Sequence, residues 1–92
     1  MPGRDPTVEV YANEGCQASR ATVDKLAMLG VATEVHPIDR LGKAWLARQG
    51  FTSSPVCILW VGEGEERVRF TAWEAYKPEM CELAARVGKG EG

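Results

Sequence analysis

The sequence predicts an α/β domain built on a four-stranded mixed sheet with three helices, in the order βαβαββα. Three observations carry that prediction. An alternating, β-branched stretch near the amino end runs through a turn into a helical apolar period. A continuous apolar run in the second half leads into a glycine-rich turn. An amphipathic stripe closes the chain.

Thr7-Val8-Glu9-Val10-Tyr11 alternates and predicts the first strand. After the polar turn 12–15, residues 16–29 read as a helix, with Val23, Leu26, Ala27 and Gly30 at helical spacing and Gly30 as its stop. Residues 31–36 form the second strand, which Pro37 ends, and 41–49 form a second helix closed by Gly50. The run 55–61 has no polar residue, as expected of a strand covered on both faces. A hairpin turn at 62–65 returns the chain as a strand at 66–70. Pro78 opens the last helix, on which Met80, Leu83, Ala84 and Val87 share one stripe. A right-handed crossover for the first pair of strands and a hairpin for the last pair give a mixed sheet with helices on both faces. This is the thioredoxin-like architecture, expected as a single domain over 1–92 with an ordered core of about 7–88 and a frayed "GKGEG" tail.

Composition narrows the function. The chain has 92 residues, 45% hydrophobic and 26% charged, which is the balance of an ordinary soluble globular protein. A formal charge of −2 suggests no basic face, which argues against nucleic acid and anionic membrane as partners. The amino end "MPGRDP" lacks the apolar stretch of a signal peptide, and the apolar run 56–61 is too short to cross a bilayer. Three scattered cysteines make neither a disulfide framework nor a zinc knuckle, and the single histidine, His36, cannot complete a ligand set with them. The expectation is a cytoplasmic protein with reduced thiols and no metal or cofactor.

Cys16 carries the chemistry. At the start of a helix, free backbone N–H groups and the helix dipole favour the thiolate, which can lower a cysteine pKa from ~8.5 into the range ~3.5–7.5. Ser19 lies one turn on and offers a hydroxyl to the sulfur, and Arg20 offers charge. Asn13, Glu14 and Gln17 around it read as exposed, against the alternative of a small buried cysteine. Cys57 and Cys81 read as packing residues, as do Trp45 and Trp60.

Three stretches together resemble the glutaredoxin branch of this fold, and within it the NrdH redoxins. The family's C-x-x-C-x-A-T turn corresponds to Cys16-Gln17-Ala18-Ser19-Arg20-Ala21-Thr22. Its glycine-aromatic lead into a proline loop corresponds to Gly50-Phe51-Thr52-Ser53-Ser54-Pro55-Val56, and its W-S-G-F-R-P stretch to Trp73-Glu74-Ala75-Tyr76-Lys77-Pro78. Ser19 stands where the second cysteine would be, and Ala75-Tyr76-Lys77 departs from Gly-Phe-Arg.

The resemblance implies a cis Pro55 beside Cys16, with the backbone of Ser54 turned outward to pair with an extended substrate. It also implies a partner-binding surface that includes Tyr76, Lys77 and Trp73, with Phe51 nearby, although Trp73 reads equally well as a core residue. A single thiol suits exchange through a mixed disulfide with protein disulfides or low-molecular-weight thiols. By resemblance, thioredoxin reductase and ribonucleotide reductase are further candidate partners, although one cysteine does not suit that relay. A docking module without turnover is the alternative, and an iron–sulfur carrier is a more distant one. Against the carrier, the chain lacks the Gly-Gly contact and the preceding lysine of such proteins, so no preformed glutathione pocket is expected. Longer C-x-x-S proteins such as arsenate reductases complete the range.

Overall fold

The computed structural model describes residues 6–88 except 14 and 63. It contains β1 (Pro6–Ala12), α1 (Gln17–Met28), β2 (Ala32–Pro37), α2 (Arg40–Arg48), β3 (Val56–Val61), a short 3-10 turn (Gly64–Glu66), β4 (Val68–Glu74) and α3 (Pro78–Gly88). The "MPGRD" leader, Glu14, Glu63 and residues 89–92 of the tail lie outside the described residues. The sheet order is β2-β1-β3-β4, with β1 parallel to β2 and antiparallel to β3, and β3 antiparallel to β4.

Alternation along the central strands builds one core. Val8 and Val10 of β1 and Cys57, Leu59 and Val61 of β3 join Leu26 of α1 and Cys81, Ala84 and Val87 of α3. Val56 and Ile58, also buried, point to the opposite face, where Leu46 of α2 is buried as well. Asp39 caps α2 through Oδ1, which accepts from the Gly42 N–H at 2.6 Å. Gly30, at φ 75°, closes α1, and the Val31 N–H then donates to the Leu26 carbonyl at 3.0 Å.

Four expectations are corrected. Pro37 is the last residue of β2 rather than its stop, which an edge strand tolerates because no ladder donor is needed there. The final strand occupies Val68–Glu74, not 66–70. The 3-10 turn lengthens the connection, and the β-branched and aromatic residues Thr71 and Trp73 carry the pairing onward past a bulge opposite Leu59 and Trp60. Trp45 is 46% exposed, because its neighbour Leu46 takes the inward position on α2. Trp60 is only half-buried, and its role is polar.

Trp60 belongs to a cluster centred on Glu9, which is only 8% exposed although strand alternation directs it away from the main core. The indole N–H of Trp60 donates to Glu9 Oε1, the Tyr11 hydroxyl donates to Oε2 at 3.2 Å, and His36 Nε2 lies 3.3 Å from Oε2. The Arg67 guanidinium bridges Glu9 and Glu34, at 3.7 Å from each, and lies over the Trp60 ring. Glu9, Glu34 and His36 are therefore near enough to share a metal ion, but the guanidinium already supplies the positive charge there.

Ala75, at φ 67°, makes the turn from β4 into α3 in the left-handed region. A Cβ is disfavoured in that conformation. Ala75→Gly is expected to raise unfolding stability by about 0.5–1 kcal/mol in urea titration. Leu26→Ala, by contrast, should cost about 2–5 kcal/mol, while truncating Met28, which is 83% exposed, should change stability by less than about 0.5 kcal/mol.

Candidate active site

The β1–β3 register ends with Tyr11 opposite Val56, so the chain leaving β1 meets the chain entering β3. The Asn13 N–H donates to Ser54 Oγ at 3.2 Å, and Ser54 Oγ lies 3.5 Å from Cys16 Sγ, positioned to donate to it. The Cys16 thiol in turn reaches the Ser54 carbonyl at 3.8 Å. The Ser54–Pro55 peptide is cis, and the Pro55 carbonyl accepts from the Ala75 N–H at 2.8 Å.

Cys16 is the N-cap residue of α1, half-exposed, with an extended backbone. Its side chain caps no backbone N–H in the thiol form, so the first-turn donors stay available to an anion. Its pKa is lowered to about 7. The Ser19 hydroxyl is the largest cause, followed by the Ser54 hydroxyl and the Ser19 backbone N–H, with a smaller share from the Ala18 N–H; partial burial opposes them. Arg20 is not among these groups. Ser19 is only 8% exposed and its hydroxyl makes no hydrogen bond among the described residues, so its proton is free to turn to the sulfur once the thiolate forms.

The other thiols differ for a physical reason. Cys57 and Cys81 are fully buried. Desolvation, with Cys81 nearby, pushes the Cys57 thiol up to about 12, and burial also raises Cys81.

Two cavities lie near the site, one lined by Cys16 and the other by Ser54. One, of about 590 Å³, lies between α1 and the β2 edge, lined by Cys16, Ser19, Arg20, Asp24, Val23 and Val35 among others. The second, of about 140 Å³, lies between α2 and the proline loop, where Phe51, Leu46, Lys43 and Ser54 meet. Nothing in the sequence pattern announced the first, because its outer wall comes from β2.

The site residues read from the sequence separate into two groups. Cys16, Ser19, Ser54 and Pro55 come together. Trp73 does not join them as a surface residue: it is 4% exposed, because strand β4 extends through it and alternation turns its ring into the main core. Tyr76 and Lys77 are exposed before α3 and line neither cavity. The Ser54 carbonyl also faces the Cys16 thiol rather than standing free.

The order of causes on Cys16 gives a pH prediction. Alkylation by iodoacetamide should rise with pH as the thiolate forms, with its midpoint near about 7. Ser19→Ala should move that midpoint upward, Ser54→Ala should move it less, and Cys57 and Cys81 should stay unmodified in the folded protein.

No family model matches the chain, and no curated protein matches it in sequence. Solved structures do. The glutaredoxin-like protein NrdH-redoxin from Escherichia coli, described as having a thioredoxin-like activity profile, is 25% identical over 84% of this chain and 92% of its own, with a TM-score of 0.65. Thioredoxin-2, a component of the malaria parasite protein secretion machinery, is 17% identical over 87% of this chain and 81% of its own, with a TM-score of 0.54. No helix among the described residues is long and apolar enough to cross a membrane. Strand order, helix number and these neighbours agree: the chain has the thioredoxin-like fold in its four-stranded form.

Proposed function

We propose that the protein is a thiol–disulfide exchange protein that works through one cysteine, Cys16, in a reducing compartment such as the cytoplasm. The observation that carries this reading is a half-exposed thiol at the start of α1, lowered to about 7 by Ser19 and Ser54 and bordered by an open cavity. The fold it shares with NrdH-redoxin supports a thiol-redox role.

In the first step the Cys16 thiolate attacks one sulfur of a target disulfide. A new S–S bond forms as the old one breaks, and the departing sulfur leaves as a thiolate that takes a proton from water. The S–H of Cys16 no longer exists at that point, so the Ser54 carbonyl loses its donor and becomes free to accept from a bound partner's backbone. In the second step another thiol must attack the mixed disulfide, releasing Cys16 as thiolate while that thiol is oxidised. Ser19 cannot do this, and Cys57 and Cys81 are buried with raised pKa values. Resolution therefore depends on a thiol from outside: a small thiol or a second cysteine of the partner. Protein disulfides and low-molecular-weight thiols are the substrate classes. Tyr76 and Lys77 are the exposed side chains before α3 available to a protein partner, and thioredoxin reductase and ribonucleotide reductase are partners that the resemblance suggests.

The test is insulin reduction with a small thiol or thioredoxin reductase as electron source. The native chain should accumulate a Cys16 adduct in intact-mass spectra and turn over slowly. Ser19→Cys should raise turnover at least about tenfold, because a neighbouring thiol acts at high effective concentration. Cys16→Ser should abolish adduct and turnover in both backgrounds. A Ser19→Cys protein that forms the internal disulfide yet stays inactive would instead favour a docking module without turnover.

A further inference from the structure

The larger cavity beside Cys16 has a composition that the exchange chemistry alone does not require. Its volume, about 590 Å³, lies within the ~300–1,000 Å³ range of small-molecule sites. Val23, Val35 and Pro37 give it apolar wall, and Arg20 and Asp24, both exposed, stand one helical turn apart on its α1 side. Among the described residues neither forms an ion pair, with the other or with any third group. The order of charges explains part of this, since a cation placed four residues before an anion is the weaker arrangement on a helix.

We propose that this cavity receives the amino-acid end of a small zwitterionic disulfide, of which cystine is the simplest. Its carboxylate is met by Arg20, its ammonium by Asp24, and its sulfur is directed to Cys16. The inference rests on the exchange function proposed above and specifies its substrate. Cys16 thiolate attacks one cystine sulfur. The Cys16–cysteinyl S–S bond forms, the cystine S–S bond breaks, and one cysteine leaves as thiolate and is protonated by water. The number of disulfides is unchanged in this step: the released sulfur is reduced to thiolate and the Cys16 sulfur is oxidised in its place, with the other cystine sulfur held on Cys16. A thiol from outside then attacks the cysteinyl sulfur: the bond to Cys16 breaks, Cys16 leaves as thiolate, and the cysteinyl group passes to the attacking thiol as a new mixed disulfide. Arg20 and Asp24 act here as specificity residues, because neither touches the reacting sulfurs.

The experiment compares rates of Cys16 adduct formation, followed by intact mass, with four disulfides of similar reach. Cystine carries both charges, dithiodipropionate only carboxylates, cystamine only ammonium groups, and bis(2-hydroxyethyl) disulfide neither. Each rate is expressed relative to that of the neutral compound in the same protein, which removes changes in thiol reactivity. Arg20→Ala should lower the relative rates of cystine and dithiodipropionate by about three- to fivefold and leave cystamine's no lower, as expected for an exposed charge pair. Asp24→Ala should lower the relative rates of cystine and cystamine similarly, and leave dithiodipropionate's no lower. Arg20→Lys should retain most of the effect. If both alanine variants leave the relative rate of cystine within about twofold of the native value, the zwitterion site is wrong while the exchange function stands. If the native protein forms an adduct with none of the four, the exchange function itself fails, and the inference falls with it.

Discussion

The antiparallel register of β1 against β3 is the constraint on which the site depends. It sets Tyr11 opposite Val56 and so brings the turn after β1 onto the loop before β3. One hydroxyl then joins three segments' worth of chemistry: Ser54 Oγ accepts from the Asn13 N–H and faces the Cys16 sulfur. Slipping that register by one residue would turn the core-facing side chains of one strand to the opposite face of the sheet. The core pairs Val8–Leu59 and Val10–Cys57 would be lost together with the Ser54 contact. Fold and reactivity are therefore secured by the same pairing.

The two faces of the sheet are stabilised by different physics, and both matter to the site. The face toward α1 and α3 is apolar and gains from burial. On the other face the Glu9 carboxylate is desolvated, and its cost is offset by the Trp60 and Tyr11 donors and by charge from Arg67. Arg67 reaches Glu34 and His36 reaches Glu9, so the cluster ties edge strand β2 to the centre of the sheet. Val35 and Pro37 of that strand form part of the wall of the larger cavity. An ionic cluster around the buried Glu9 thus helps hold one side of the opening beside Cys16.

The three thiols illustrate how position decides chemistry. All carry the same group, yet Cys16 is lowered and Cys57 and Cys81 are raised. Hydrogen-bond donors that favour an anion surround the first, and hydrocarbon surrounds the others. Ser19 contributes more to lowering Cys16 than any other group, so in the proposed mechanism the residue standing where a resolving thiol would be also favours the attacking thiolate. Under the proposed single-thiol exchange, slow resolution and ready attack have a common origin.

Much of this protein was determined by local sequence. The strand alternation at Val8 and Val10, the glycine stop at Gly30 and the apolar stripe of α3 report directly on neighbours within one element, and these set the element order. The position of Cys16 beside a proline loop was legible too, through motifs whose spacing survives in the chain. What only the tertiary structure decided involves residues far apart in sequence. Glu9 reads as a surface residue of an alternating strand, and it is buried because Trp60 and Arg67 arrive from β3 and the segment before β4. Trp73 reads as part of a binding motif, and it is core because the pairing of β4 continues through it. The cavity beside Cys16 needs α1 and β2 at a defined separation, and no stretch of sequence encodes the space between two elements. Local patterns specify what each segment prefers, whereas burial and open volume are set by which segments meet.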